Sequence, residues 1–353
     1  MAFMRVSSPH AHAKASTGQV MQLVLLATVP GLLTLIYFFG GGVLVNLALC
    51  CATAVACEAA IINARKRPVA FYLKDYSAIV TAVLLGLALP PFAPWWIAVV
   101  GTAFSIVIGK HLYGGLGYNP FNPAMLGYVV LLISFPVQMT AWAAPAGILP
   151  EGSSLINVIE ALRLNFGIWD QGLDAVTMAT PLDIAKNNAA LTMEDLWYEF
   201  PQFGHWGGYG WEFVNIAFLV GGIYLIYQKV FTWHGPVGML GALFILSTLF
   251  YDAGSSNSGG SPLLHLLSGA TMFGAFFIVT DPVTSTSSNM GRLFYGALIG
   301  CLIYVIRVWG NYPDAVAFAV LLGNFCAPLI DHYVQPRTFG HKTERDRKGK
   351  EHP

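Results

Sequence analysis

Two segments of the sequence place polar and small residues where chemistry could occur inside otherwise apolar text. The first runs from Lys110 to Ala124 and reads KHLYGGLGYNPFNPA, with one cation, three glycines and two Asn-Pro turns. Such a sequence unwinds a helix and exposes backbone amides that can hold a ligand. We therefore take Lys110, Asn119 and Asn122 as candidate ligand or ion-pathway residues. An ordinary turn between two helices is the alternative.

The second segment is Ser268-Gly269-Ala270-Thr271, which is followed by Thr280-Asp281-Pro282. From physical chemistry alone, four small residues form a patch that lets two helices approach closely. Asp281 stands beside a proline that breaks the helix, and we add it to the candidates for an ion pathway.

Further charged residues lie within or at the ends of the apolar runs. An ionisable residue at membrane depth is costly and usually functional. Ion or proton coupling is one interpretation, and structural ion pairs at helix ends are the other. The residues are Glu58, Asp75, Lys110, Asp281, Arg307 and Asp331.

The composition predicts the class of protein that must position these residues. Hydrophobic residues make up 56% of the 353 positions and charged residues 10%, and the mean hydropathy is +0.61. A soluble domain carries roughly 25% charged residues. The five cysteines all lie in apolar runs without a CxxC pair, so they predict helix packing and no metal site. The zero net charge gives no indication of a nucleic-acid partner.

Ten apolar segments predict an all-α, polytopic membrane protein, since about 20 apolar residues cross the hydrocarbon core. Some are short and interrupted by glycine or proline. The predicted spans are Met21–Phe39, Val43–Ile61, Tyr76–Leu89, Trp95–Gly109, Phe121–Trp142, Phe213–Tyr227, Pro236–Phe250, Leu263–Val279, Leu293–Trp309 and Ala315–Ile330.

The distribution of basic residues predicts the orientation. With the N-terminus in the cytoplasm, fifteen of the 18 Lys and Arg residues lie on that side, Arg163 and Lys186 lie outside, and Arg307 lies within a helix. Both termini are then cytoplasmic, in the inner membrane of a bacterium. The predicted parts are a five-helix half (1–142), a periplasmic loop (143–211), a second five-helix half (212–332) and a basic cytoplasmic tail (333–353).

A weak internal repeat relates the two halves. Ser77–Lys110 and Leu267–Arg307 each contain a helix rich in small residues, a proline break and a second helix that carries a glycine and then a base. Five spans per half require the two copies to be inverted. Inverted repeats with interrupted helices place ligand sites at the repeat interface. A chance similarity between two glycine-rich apolar segments is the alternative.

These motifs resemble the family that contains the D subunit of the Rnf electron-transport complex and the B subunit of the sodium-pumping NADH:quinone oxidoreductase. The resemblance covers nearly the whole chain. The chain enters its first span by residue 21, whereas the B subunit usually has a longer N-terminal extension, so the Rnf branch is favoured. The motifs are Ser8-Pro9-His10, Gly114–Ala124, Ser268–Thr271 and Thr280–Thr284.

The resemblance implies cofactors. In this family the last threonine of a Ser/Thr-Gly-Ala-Thr motif is joined to FMN through a phosphoester, by a transferase that works outside the membrane. Carried over, this residue is Thr271, and its neighbours Ser268, Gly269 and Ala270 contact the flavin. A second, noncovalent flavin, riboflavin, is also implied, and we place it at the repeat interface beside the Gly114–Ala124 loop.

The resemblance therefore implies an electron-carrying membrane subunit of a redox-driven, ion-translocating oxidoreductase. It passes electrons between flavin-bearing and iron–sulfur-bearing subunits of the complex, with linked movement of Na⁺ or H⁺. No complete active site is expected within this chain alone. The alternative from a different class is a solute channel or transporter with inverted repeats.

Overall fold

The computed structural model describes residues 16–149, 156–168, 176–188, 190–256, 258–312 and 314–335. Within these ranges the regular structure is helical, apart from two isolated β-bridges. The predicted all-helical architecture is confirmed. Ser8-Pro9-His10 and most of the basic tail lie outside the described residues.

The first half of the chain contains seven helices among the described residues. The fifth continues as a π-helix, Ser105–His111, which ends in the glycine-rich loop. The helices are α1 (Thr17–Phe39), α2 (Gly42–Ala64), α3 (Val69–Leu73), α4 (Ser77–Ala88), α5 (Trp95–Phe104), α6 (Pro123–Ser134) and α7 (Pro136–Thr140).

The segment between the halves forms three short helices among its described residues. Each begins at an Asn or Thr whose side chain accepts a hydrogen bond from a backbone amide of the first turn, which satisfies a group that would otherwise lack a partner. They are α8 (Val158–Asn165), α9 (Pro181–Asn187) and α10 (Met193–Glu199).

The second half repeats the pattern of long and short helices. A 3-10 turn at Asp252–Gly254 follows its second helix, and a π-helix at Gly274–Ile278 continues its fourth. The helices are α11 (Trp211–Tyr227), α12 (His234–Leu249), α13 (Pro262–Leu267), α14 (Thr271–Phe273), α15 (Asn289–Val308) and α16 (Val316–Tyr333).

Every predicted span contains helix, but two are not continuous. The predicted span Leu263–Val279 breaks at residues 268–270, where Gly269 takes a left-handed φ of 62° that glycine adopts without steric penalty. The predicted span Phe121–Trp142 breaks at Phe135, because a residue that precedes a proline is driven away from helical angles. Four helices (α1, α2, α15 and α16) are long and apolar enough to cross a membrane, and the others are shorter.

The two halves contact each other through helices that the predicted repeat treats as equivalent. Helix α1 packs on α11, and α6 packs on α16. At the first contact a Cβ on Gly31 would overlap Phe218, and a Cβ on Gly221 would overlap the Ala27 carbonyl. Such contacts are compatible with an inverted repeat, in which a helix beside the two-fold axis meets its equivalent, and the ten-span inverted repeat itself stays a prediction. The boundaries of the four predicted parts stay predictions.

Candidate functional site

One polar cluster lies where the π-helix Ser105–His111 ends. Lys110 Nζ is 2.7 Å from both carboxylate oxygens of Glu58 and donates to Ser77 Oγ at 2.7 Å. All three residues are buried, with Lys110 only 3% exposed. Taking two charges out of water is costly unless each is paired and hydrogen-bonded, and this geometry provides both.

The Ser77 hydroxyl connects this pair to a second carboxylate. Asp75 Oδ1 accepts from the Ser77 amide at 2.8 Å and from its hydroxyl at 2.6 Å. His111 Nε2 lies 3.8 Å from Glu58 Oε2. Arg65 donates to the His111 carbonyl at 2.6 Å. We call Glu58, Lys110, Ser77 and Asp75 the inner cluster.

The inner cluster borders a cavity of about 240 Å³ between the two halves. Four residues predicted from the sequence line this one cavity: Lys110, Asn119, Asn122 and Asp281.

The predicted asparagines have different roles in the cavity wall. Asn122 caps α6, since its side chain accepts from the amides of Ala124 and Met125. Asn119 donates to the Phe121 carbonyl at 2.9 Å. Its buried Oδ1, however, has no hydrogen-bond partner among the described residues. A buried acceptor without a partner is costly, so Asn119 fits a ligand that donates a hydrogen bond.

A larger pocket of about 580 Å³ opens on the other side of Lys110. Its lining includes Arg65, Arg67 and Lys74, which the sequence places on the cytoplasmic side. Lys110 lines both spaces. The inner cluster therefore separates the two.

A second polar cluster lies at the opposite end, where α14 begins. The Thr271 hydroxyl is 2.8 Å from the His265 carbonyl and 3.1 Å from the Ser268 carbonyl, and it accepts from Arg307 Nη2 at 2.9 Å. Arg307 also donates to the His265 carbonyl at 2.8 Å and lies 3.6 Å from Asp314. We call Thr271, His265, Arg307 and Asp314 the outer cluster.

The turn that precedes Thr271 is fixed by hydrogen bonds to the chain around it. Ser268 Oγ accepts from the Gly208 amide at 2.8 Å. Asn215 donates to the Gly269 carbonyl and accepts from the Met272 amide, both at 2.9 Å. This turn forms the floor of two adjoining clefts.

The two clefts share Tyr128, Trp142, Trp211, Gly269 and Asp314, so three aromatic side chains are common to both walls. Each encloses only about 40 Å³. Pockets for small molecules usually enclose about 300–1,000 Å³. A flavin at this end would therefore lie across the mouths of the clefts, against the aromatic side chains.

The structure brings Ser268, Gly269, Ala270 and Thr271 together but does not expose the predicted attachment atom. Thr271 has 0% exposure and lines neither cleft. A phosphoester at Thr271 would displace the Arg307 guanidinium and break the bonds to two carbonyl oxygens. Attachment at Thr271 stays a prediction, and it requires this buried contact to open.

A threonine that the sequence reasoning missed lies at the edge of the clefts. Thr180 is half-buried and lines one of them. It begins α9, and its hydroxyl donates to Asp183 at 2.6 Å. The available signal was Thr177-Met178-Ala179-Thr180, which repeats the Ser/Thr-x-Ala-Thr spacing with methionine in place of glycine.

Two of the predicted charged residues fix turns. Asp281 accepts from the Val283 amide and the Thr284 hydroxyl, which closes the proline turn. Asp331 accepts from the amide and hydroxyl of Ser287. These contacts favour the structural interpretation for Asp331. Asp281 combines such a role with a place in the cavity wall.

Comparison with known proteins gives matches along nearly the whole chain. The model of the family described as NQR2, RnfD, RnfE matches residues 4–340. The D subunit of the ion-translocating oxidoreductase complex of Ectopseudomonas mendocina is 58% identical over 342 residues, which cover 97% of each chain. The corresponding protein of Cellvibrio japonicus, which carries the same name, is 55% identical and covers 98% of this chain and 97% of its own.

Proposed function

The chain belongs to the NQR2, RnfD, RnfE family, and from this membership we propose that it is the D-type membrane subunit of an ion-translocating oxidoreductase complex. It carries flavin and passes electrons between flavin- and iron–sulfur-bearing subunits, with linked movement of Na⁺ or H⁺. The names of its relatives and the two polar clusters at opposite ends of the helices support the proposal.

The proposed setting is the bacterial inner membrane, with both termini in the cytoplasm and two inverted five-helix halves. The contacts of α1 with α11 and of α6 with α16 support the inverted repeat. The basic residues around the larger pocket support a cytoplasmic position for the inner cluster. The outer cluster then lies at the periplasmic end, where a flavin transferase can reach it.

For the covalent FMN, we propose Thr180 in preference to Thr271. Esterification of Thr180 disturbs only the helix-capping contacts of its hydroxyl with the Asp183 carboxylate and amide, at the edge of a cleft. Esterification of Thr271 breaks a buried contact with Arg307 and leaves buried donors and acceptors without partners, which costs about 1–3 kcal/mol for each group. A transferase also needs access to the hydroxyl. The single observation that supports this choice is that Thr180 is half-buried whereas Thr271 is fully buried.

For the noncovalent riboflavin, we propose the 240 Å³ cavity, which has to widen to reach the usual volume of about 300–1,000 Å³. The free Asn119 Oδ1 can accept a hydrogen bond from a flavin N–H or a ribityl hydroxyl, and Phe276 and Phe277 provide apolar walls. The cavity lies between the halves, where ligands of inverted-repeat membrane proteins bind.

Bound flavin supplies the reversible electron transfer, while the protein supplies position and electrostatics. At the outer end Trp142 and Trp211 exclude water from one face of the clefts. Gly269, which has no side chain, lets the flavin approach the backbone of the turn at the floor of the clefts. At the inner end Lys110 holds Glu58 and Ser77 between two cavities. These residues can hold or move a proton at the Glu58 carboxylate and the Ser77 hydroxyl.

The test compares Thr180→Val and Thr271→Val in the full chain, expressed with its complex. Each protein is denatured, separated on a gel and examined for flavin fluorescence. Thr192→Val is the matched control, because Thr192 begins α10 with the same contact to an aspartate, at 2.7 Å from Asp195, and lines neither cleft. We expect fluorescence to be lost in Thr180→Val alone.

The other outcomes are also decisive. Loss in Thr271→Val alone would return the attachment to the residue predicted from the sequence. Fluorescence that persists in both variants would exclude both threonines. A wild-type chain without bound flavin would favour the channel or transporter, which has no use for a covalent chromophore.

A further inference from the structure

A third pocket, of about 230 Å³, lies beside the outer cluster between α9, α13 and the end of α15. Lys186, His265 and Arg307 all line it, together with Trp309. It is distinct from the two aromatic clefts, since neither Lys186 nor Arg307 lines those. The proposed flavin attachment does not explain this pocket.

The charges in this pocket are unusual for its side of the protein. The segments that the sequence places outside carry eleven carboxylates and only two basic residues, Arg163 and Lys186. Arg307 is the single basic residue assigned to a helix interior. Two of these three cations nevertheless meet in one pocket, and its described lining contains no Asp or Glu. An acid-free pocket with two cations, on an acidic face, is suited to an anion.

The hydrogen-bond donors point to the same conclusion. Arg307 uses Nη1 and Nη2 for the outer cluster, but its buried Nε has no partner among the described residues. Lys186 Nζ makes a single long contact, 3.5 Å to the Ile306 carbonyl, which leaves other ammonium protons free. A buried donor without a partner is costly, and an anion would satisfy both side chains.

The two nearest carboxylates each attract one of these cations but also make other contacts. Asp183 is one turn before Lys186, and its Oδ2 accepts from the Thr180 hydroxyl at 2.6 Å. Asp314 lies 3.6 Å from Arg307 but lines the aromatic clefts. Burial lowers the pKa of Lys186, and a bound anion would offset that effect by stabilising the charged ammonium.

We propose that Lys186 and Arg307 form a binding site for a phosphate group at the outer end of the protein. Arginine and lysine are the side chains that recognise phosphate, through charge-assisted hydrogen bonds. Two sources carry this chemistry. One is a phospholipid headgroup, since Trp309 marks an interfacial position at the end of α15. The other is the flavin phosphate, since Thr180 directly precedes α9 and Lys186 lies in its last turn, about 9 Å apart at 1.5 Å per residue.

The primary test uses the purified full chain and Lys186→Gln, which removes a half-buried charge and leaves the core intact. Arg163→Gln is the matched control, because Arg163 is the other outer basic residue and lies exposed on α8. Inorganic phosphate is titrated while the thermal midpoint is recorded, with chloride at equal ionic strength as the reference. We expect Lys186→Gln to weaken phosphate binding at least about tenfold and Arg163→Gln to leave it unchanged.

The two sources are separated by two additional measurements. Native mass spectrometry counts phospholipid that stays bound to each protein, and the titration is repeated on Thr180→Val. Phospholipid that is retained by the wild type and lost from Lys186→Gln identifies the headgroup as the ligand. Phosphate that binds Thr180→Val but not the flavin-loaded wild type identifies the flavin phosphate. The proposal is overturned if neither phosphate nor phospholipid binding depends on Lys186 when Lys186→Gln is made both in the wild type and in the flavin-free Thr180→Val chain. That result would leave the flavin attachment at Thr180 unaffected.

Discussion

The inner and outer clusters place the same kind of contact at opposite ends of the molecule. In each, a base near the end of a later helix holds the hydroxyl that begins a short helix: Lys110 with Ser77 at 2.7 Å, and Arg307 with Thr271 at 2.9 Å. A left-handed residue precedes each hydroxyl: Tyr76, with φ 59°, lies directly before Ser77, and Gly269, with φ 62°, lies two residues before Thr271. These are the segments that the sequence repeat aligned.

The clusters differ in how each positive charge is balanced. Lys110 faces the carboxylate of Glu58, which is 1% exposed, at 2.7 Å. Arg307 faces carbonyl and hydroxyl oxygens, and its nearest carboxylate, on Asp314, is 3.6 Å away with a side chain 31% exposed. The inner cluster therefore contains a closed Lys110–Glu58 ion pair between two cavities. The outer cluster keeps positive charge available for ligands beside it.

The largest effect expected from this difference is at Lys110. Lys110→Met leaves the Glu58 carboxylate buried without its partner, and breaking a buried pair costs about 3–5 kcal/mol. We expect a steep fall in the thermal midpoint of the purified chain. The double variant Glu58→Gln/Lys110→Met removes both charges and should recover most of the loss. If the double variant were as unstable as Lys110→Met, the buried charge would not be the cause.

A smaller loss is expected for Arg307→Met at the other end. This change removes one of the two donors to the His265 carbonyl, which keeps the Thr271 hydroxyl as a partner. It leaves no buried charge unpaired, because Asp314 can turn its partly exposed carboxylate to water. The same thermal measurement compares the two variants. A loss as large as that of Lys110→Met would show that the Arg307–Asp314 pair is as tightly coupled as the inner one.

The turn at Gly269 offers a third test, because it brings Arg307 close to the floor of the clefts. A Cβ at Gly269 would lie 2.9 Å from Leu182 Cδ1 and 3.2 Å from Arg307 Nη2. Gly167 has a similar φ of 71° and no neighbour within 4 Å, so Gly167→Ala is the control for backbone strain. We expect Gly167→Ala to cost about 1 kcal/mol, and Gly269→Ala to cost more. Equal losses in the two thermal midpoints would exclude the contact.

The sequence predicted the helical segments and the two polar segments, while the pairing of Ser77–Lys110 with Leu267–Arg307 as inverted repeats stays a prediction. These features depend on local sequence, because the length of an apolar run predicts a helix and proline or glycine predicts where it breaks. The partners of the charges were not predictable, because Glu58 and Lys110 are 52 residues apart and only the packing of α2 against α4 and the π-helix brings them together. The burial of Thr271 was missed for the same reason, since Arg307 reaches it from another helix. Thr180 was missed because Met178 replaces the expected glycine.

The smallest expected difference in stability is between variants that remove the Thr271 hydroxyl and the Ser77 hydroxyl. Thr271→Val removes a hydroxyl that contacts carbonyl oxygens and Arg307 and leaves a side chain of nearly equal size. It removes one hydrogen bond with a charged group, and Arg307 keeps the His265 carbonyl as a partner, so the thermal midpoint of Thr271→Val should fall by the equivalent of one such bond. The thermal midpoint of Ser77→Ala should fall further than that of Thr271→Val, because Ser77 bridges the Lys110 ammonium and the Asp75 carboxylate. Each hydrogen bond to a charged group is worth about 1.5–3 kcal/mol.

The same Thr271→Val protein also tests whether Thr271 has a packing role or carries the FMN. If Thr180 carries the FMN, Thr271→Val keeps its covalent fluorescence and most of its electron-transfer activity, since the turn at residues 268–270 stays in place through Ser268 and Asn215. If Thr271 carries the FMN, the variant folds normally and loses both, since a phosphoester needs the hydroxyl oxygen itself. If Thr271→Val loses stability and fluorescence together, Thr271 supports the clefts through packing. Attachment at Thr180 then requires that Thr180→Val loses the flavin and keeps its stability.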